Sequence, residues 1–149
     1  MSRIITFKGK LDMGLQERLH LSTNNGLKGY RINKFQIISS TPGATNTELV
    51  GQIFLTDQTG SIGPTVDFSD SDLLAVAYFK ERANDFYGHG IGPIIFDKET
   101  FNQDIFVNLT DAASGTVPAN YYIELEQFDL ILNESTYHTV KNIRSKTQA

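Results

Sequence analysis

The chain has 149 residues, enough for one domain with a real core, and its 40% hydrophobic and 20% charged residues exclude wholesale disorder. Thirteen basic against 17 acidic residues leave a formal charge of −4, which argues against broad electrostatic capture of nucleic acid. The lack of cysteine removes disulfide frameworks and thiolate metal sites; no apolar run approaches the roughly 20 residues that span a bilayer, and the opening MSRIITFKGK lacks a signal-peptide core, so the expectation is a protein made in a cytoplasm.

Residues 3–11 alternate Ile5, Phe7, Gly9 and Leu11 against Ile4, Thr6, Lys8 and Lys10, the pattern of a half-buried strand. After a turn at Asp12-Met13-Gly14, residues 15–22 set Leu15, Leu19 and Leu21 against Gln16, Arg18, His20 and Ser22. Asn24-Asn25-Gly26 is a turn, because Asn and Gly tolerate positive φ. The strand at 29–39 carries a phase slip: Tyr30 and Ile32 share one parity, Phe35 and Ile37 the other. A Pro-Gly loop at 40–46 leads into 47–56, with Leu49, Ile53 and Leu55 inward, Glu48, Gln52 and Thr56 outward, and Val50 and Phe54 apolar on the outward face.

Residues 57–71 form a long polar loop, of a length that usually serves a function or moves. The stretch 72–80 (DLLAVAYFK) has helix formers and a cap in Asp70 or Ser71, but its Val-Ala-Tyr-Phe run and all-β surroundings predict a strand. A second long loop, 81–92, holds Gly88, Gly90 and Gly92 with Phe86 and Tyr87. A short strand follows at 93–97. Residues 102–110 turn Ile105, Val107 and Leu109 inward and Phe106 outward, and 111–119 is a hairpin-type loop. The stretch 120–132 (NYYIELEQFDLIL) is long for a strand and slips phase as well, from Ile123 and Leu125 to Phe128, Leu130 and Leu132. Either a bulge near 126–128 re-aims it, or its second half has apolar contacts on a different surface, such as another subunit. Thr136, Val140 and Ile143 within 134–144 have helical spacing, for a turn or two that must dock or fray. About eight strands with regular turn signals predict an all-β fold: one domain, 1–149, built as an antiparallel β-sandwich or jelly roll with a short C-terminal helical tail.

No motif carries a defined chemistry. Asp67, Asp70 and Asp72 crowd one loop, but the EF-hand glycine and distal Glu are missing, so a solvated loop or cap is the favoured reading over calcium. Gly88-His89-Gly90-Ile91-Gly92 lacks nucleotide-loop spacing, and His20, His89 and His138 lack ligand spacing. Glu124 and Glu126 share a strand face and read as solubilising charges. Asn108-Leu109-Thr110 and Asn133-Glu134-Ser135 match the glycosylation sequon, a coincidence without a secretory signal. The basic tail Lys141, Arg144 and Lys146 suits an acidic neighbour and is weak as a nucleic-acid arm. The expectation is therefore no catalytic residues, no cofactor, no metal, and neither membrane nor nucleic acid as a partner. The better clue is surplus apolar surface. Val50, Phe54 and Phe106, with Phe128, Leu130 and Leu132, exceed what one face per strand needs, which points to an interface. The alternative is that the chain's own loops cover both faces.

Four segments carry a resemblance: Gly26-Leu27-Lys28-Gly29-Tyr30-Arg31-Ile32; Val66-Asp67-Phe68-Ser69-Asp70-Ser71-Asp72-Leu73-Leu74-Ala75-Val76; Asn102-Gln103-Asp104-Ile105-Phe106-Val107; and Asn120-Tyr121-Tyr122-Ile123-Glu124-Leu125-Glu126. Through them the chain resembles small virion structural proteins of marine tailed phages. The resemblance implies a β-sandwich accessory protein of a capsid or tail and supplies no catalytic residues. The resulting expectation is a capsid decoration or cement protein, a homo-oligomeric dimer or trimer that binds the major capsid protein on the virion surface. Its outward apolar residues would make subunit contacts, and loops 57–71 and 81–92 and the termini would reach neighbours. The alternative is a carbohydrate-binding β-sandwich for host recognition, with Phe86, Tyr87 and Tyr137 stacking on sugars and the Asp-rich loop holding calcium, or a tail-associated structural protein.

Overall fold

A computed structural model describes residues 2–23, 25–44, 46–58, 60, 62–82, 93–96 and 100–148, without the side chains of Leu132, Ser135, Asn142 and 144–148. Among them the alternating stretches form β1 (Arg3–Leu11), β2 (Leu15–Leu19), β3 (Lys28–Ser39), β4 (Thr47–Phe54), β5 (Leu73–Glu81), β6 (Ile94–Ile95), β7 (Ile105–Asp111) and β8 (Ala119–Asp129), followed by α1 (Leu132–Gln148). The strands pair antiparallel in two sheets, ordered β1-β8-β3 and β2-β7-β4-β5-β6, so the fold is the expected sandwich of a single small domain. The ambiguous 72–80 stretch is a strand.

The inward residues of the two sheets meet in one core. Phe35, Tyr121, Ile123 and Leu125 come from the smaller sheet, and Leu49, Ile53, Ile105, Val107 and Leu109 from the larger. Gly51 of β4 faces the smaller sheet at close range. A Cβ there would lie 2.9 Å from Phe35 Cζ and 3.0 Å from Ile37 Cγ2, so a residue without a side chain lets the layers close.

The two phase slips have different causes. In β3 the register jumps between Ile32 and Lys34, which pair with the adjacent Leu125 and Glu124. Asn33 is thus a bulge, and this extra residue returns Phe35 and Ile37 to the face of Tyr30 and Ile32. β8 runs without a break from Ala119 to Asp129, so no bulge lies near 126–128. Gln127 takes the inward position and donates Nε2 to the Tyr30 hydroxyl at 3.1 Å. Phe128 lies on the outer face, over Gly29 and 4.9 Å from the Arg31 guanidinium, a cation–π contact. The same outer face carries a charge ladder, with Lys34 opposite Glu124 and Arg31 opposite Glu126, and the exposed Ile4 and Ile38.

The C-terminal helix is longer than a turn or two: it runs for 17 residues. Its start has half of a capping box, because the Ile131 amide donates to Glu134 Oε2 at 3.4 Å, three residues on. Glu134 near the positive end of the helix and Lys141, Arg144 and Lys146 in its second half also suit the helix dipole. No helix among the described residues is long and apolar enough to cross a membrane.

Candidate interaction surface

The residues expected to form an interface are largely covered by the chain itself. Val50, Phe54 and Phe106 have the outward parity the alternation requires, yet are only 5%, 7% and 6% exposed. Val50 and Phe54 join Leu73 and Val76 in a second apolar cluster, walled by Tyr78 and Phe96. The guanidinium of Arg18 lies 5.9 Å from the Phe106 ring centre. Leu130 is 7% exposed, and Phe128 is half-buried beneath Arg31. Within one subunit, then, Val50, Phe54, Phe106 and Leu130 are covered and Phe128 partly so, where the expectation set all five outward at a subunit or capsid interface.

On the larger sheet, where Val50, Phe54 and Phe106 lie, the physical reason includes a row of side-chain amides. Gln16, Asn108 and Gln52 lie in register across β2, β7 and β4 on the outward face of the larger sheet. Gln52 Nε2 donates to the Thr65 carbonyl at 3.2 Å, and the Gln58 amide donates to Gln16 Oε1 at 3.0 Å. Gln16 also bonds Asp57. The described part of the polar loop, residues 57–58, 60 and 62–72, thus finds partners for its backbone on this face. A polar cavity of about 170 Å³ remains between Gln52, Asn108, Thr65, Asp67 and Asp70. The outward amides at positions 16, 52 and 108 were the available sequence signal for this cover. Asn108 is 2% exposed, so the first sequon cannot accept a glycan in the folded chain.

The Asp-rich loop uses its carboxylates on itself. Asp67 Oδ1 accepts from the Ser69 amide at 2.9 Å and the Ser69 hydroxyl at 2.6 Å, and Asp70 Oδ1 accepts from the Asp72 amide at 2.9 Å. These are successive Asx turns. The Ser69 hydroxyl, then its amide, hold the Asp67 carboxyl below its ordinary value. Among the described residues no three His, Cys, Asp or Glu side chains converge as metal ligands.

One buried charge stands out. Asp104 accepts from the Leu21 and Ser22 amides on Oδ1 at 2.7 and 2.8 Å, and from Arg18 Nε and an Arg18 terminal nitrogen on Oδ2 at 2.7 and 2.6 Å. His20 Nδ1 lies 3.7 Å from Oδ2. Burial pushes the carboxyl up, but the Ser22 and Leu21 amides and Arg18 together outweigh it and hold the group at about 2. The arrangement clamps 18–22 to the start of β7. Two tyrosines make similar ties: Tyr121 donates to Glu17 Oε2 at 2.9 Å and Tyr78 to Glu48 Oε1 at 2.7 Å. Burial first, then Glu17, raises the Tyr121 phenol; the hydrogen bond to Glu48 raises that of Tyr78.

The apolar side chains left in solvent are different ones; they include Ile4, Leu15, Ile38 and Ile131, scattered over the strands and just ahead of α1, and two groups. Phe68, in the loop that sequence reasoning took as merely polar, is 58% exposed, and Val66 and Ile94 nearby are exposed too. Its ring stands edge-on against Phe96, with centroids 5.0 Å apart at 77°. On α1, Tyr137 is 63% exposed, and Val140 and Ile143 are exposed with it. The helix is tethered where Asn102 Nδ2 donates to Thr139 Oγ1 at 2.7 Å. A cleft of about 370 Å³ opens between β3, β5 and β8, lined by Gln36, Tyr78, Pro93, Asn120 and Tyr122 among others. The glycine-rich motif with His89, and Phe86 and Tyr87, lie outside the described residues, as do the side chains of Arg144 and Lys146.

No family model and no curated protein matches the chain. Among solved structures it is similar to a chain from work on Bacillus endospore appendages as a family of disulfide-linked pili, at 7% identity and a TM-score of 0.30, over 88% of this chain and 92% of that one. It is also similar to one named as a putative glycoside hydrolase from Bacteroides thetaiotaomicron, at 10% identity and a TM-score of 0.29, over 84% of this chain but only 40% of the other. Likenesses this distant carry no argument about activity.

Proposed function

We propose that this chain is a structural protein of a larger particle: a self-associating capsid decoration protein, of the kind its resemblance to virion proteins implies. The observation that carries the reading is the exposed apolar row on α1, an arm outside the sandwich core whose Tyr137, Val140 and Ile143 are 63%, 45% and 49% exposed. The subunit buries both apolar clusters without help, so it would fold first and add to a shell afterwards, at the capsid surface and against the major capsid protein. A protein that binds only the assembled shell stabilises that shell by mass action. The test is sedimentation of the purified chain with shells assembled from the capsid protein encoded nearest to it. Stoichiometric co-pelleting and a raised shell melting temperature are expected. A chain that stays in the supernatant at micromolar concentration, with no shell or portal gene beside its own, overturns the reading.

A second reading rests on the cleft at β3, β5 and β8. Rings of Tyr78 and Tyr122 beside the amides of Gln36 and Asn120 suit a sugar, which stacks its apolar face and bonds its hydroxyls. Binding on a glycan array that Tyr122→Ala abolishes would favour a host-recognition module instead. An array without binding removes this reading.

A further inference from the structure

Resting on self-association as read above, we infer that α1 of one copy docks on the patch formed by Val66, Phe68 and Ile94 of a second copy. Tyr137, Val140 and Ile143 follow one another at three-residue steps, which on a helix places them within about 120° of arc. Half-buried His138 lies about 160° round the helix from the centre of this row and half-buried Thr139 about 100° from it. Thr139 is bonded to Asn102, whose Nδ2 also donates to the Gly26 carbonyl at 3.1 Å. The tether thus holds each helix at its own 26 and 102 corner and turns the apolar row outward.

Charge selects the occupant. Within α1, Lys141, Arg144 and Lys146 stand against Glu134, a contribution of +2; since the whole chain carries −4, the remainder carries −6. Two copies of α1 would repel each other, whereas α1 and the body attract. The patch brings both features the helix would recognise to one loop, because Val66 and Phe68 alternate along the chain with Asp67 and, two residues on, Asp70. The Asx turn at Asp67 and the edge-on contact with Phe96 fix the Phe68 ring before docking, which lowers the entropy lost on association. A basic helix with an apolar row and an acidic patch with an exposed aromatic ring are complementary surfaces on one chain.

The test uses the full chain with two exposed-site variants, Val140→Glu on the helix and Phe68→Glu on the patch. Circular dichroism melting confirms that both fold, and Ile143→Ser and Val66→Ser replace either that does not. Light scattering at micromolar concentration is expected to show an associating wild type, each variant weakened roughly tenfold or more, and an equimolar mixture that recovers dimers through its one intact helix and one intact patch. Association should also weaken at high salt. If Phe68→Glu associates like wild type while Val140→Glu does not, or if the mixture stays monomeric, the helix meets something other than this patch and the inference is wrong. If both variants associate like wild type, this docking fails and self-association stands. A monomeric wild type removes both.

Discussion

Asp104 offers a measurable consequence of the fold. Asp104→Asn keeps an oxygen for the Leu21 and Ser22 amides but turns an NH2 group towards Arg18, which already donates twice to that side. The Arg18 side chain is 55% exposed, so its ion pair is screened and contributes about 1 kcal/mol or less. The two amide bonds to a buried charge contribute more, about 1.5–3 kcal/mol for a bond to an ionised group before burial is subtracted. The folded carboxyl is held at about 2 against an ordinary 3.8. That gap corresponds to about 2.4 kcal/mol of stability, from 1.36 kcal/mol per pH unit. Because the folded value is the lower one, this contribution is complete above the ordinary value and disappears as pH falls from about 4 to 2. Urea unfolding at pH 7 should therefore show Asp104→Asn less stable by about 2–3 kcal/mol, and the two proteins should converge in a pH series towards 2. Equal stability at pH 7, or a difference that persists undiminished at pH 2, would refute the assignment of the clamp to the ionised carboxylate.

Other expectations follow from contacts described above. Gly51→Ala should destabilise by about 1–3 kcal/mol in thermal unfolding, because its methyl meets Phe35 and Ile37 across the two sheets; a neutral result would mean the layers can separate freely. Tyr121→Phe should lose about 1 kcal/mol at neutral pH through the bond to Glu17. Since the Tyr121 phenol is raised when folded, its contribution is intact below about pH 10 and falls above it, and alkaline difference absorbance should lose a late-ionising tyrosine in Tyr121→Phe while the raised Tyr78 remains. Replacing Gln16 and Gln52 together by Ala should leave the sandwich folded but free loop 57–72, seen as faster proteolysis there and as dye binding to the uncovered Val50 and Phe54.

Strand identity was legible because period-two alternation is a local signal; the 72–80 stretch, which does not alternate, was legible from its Val-Ala-Tyr-Phe run and all-β surroundings. The phase slips were legible as positions but not as causes. A bulge at Asn33 and a change of face at Phe128 break alternation in the same way, and only pairing with the neighbouring strand separates them. For Val50, Phe54 and Phe106 the parity was read correctly and the exposure was not. Their cover depends on bonds such as Gln52 to Thr65, between residues that composition treats as ordinary surface. The exposed Phe68 was hidden within a loop that averaged as polar. The helix was undersized because its cap begins at Ile131, a residue type that does not advertise a cap, and the Glu134 carboxylate that completes it is recognisable only once the start is known.

The central place of β8 in the smaller sheet has a bearing on biogenesis. Arg3 pairs with Gln127 and Ser39 with Ala119, so both outer strands of that sheet wait for a segment synthesised long after them. On a translating ribosome, β1 and β3 would each offer bare edges until the last of β8 clears the exit tunnel, and such distant pairing is slow to form. Chains stalled before residue 119 should therefore remain protease-sensitive and prone to aggregation until β8 is available to pair.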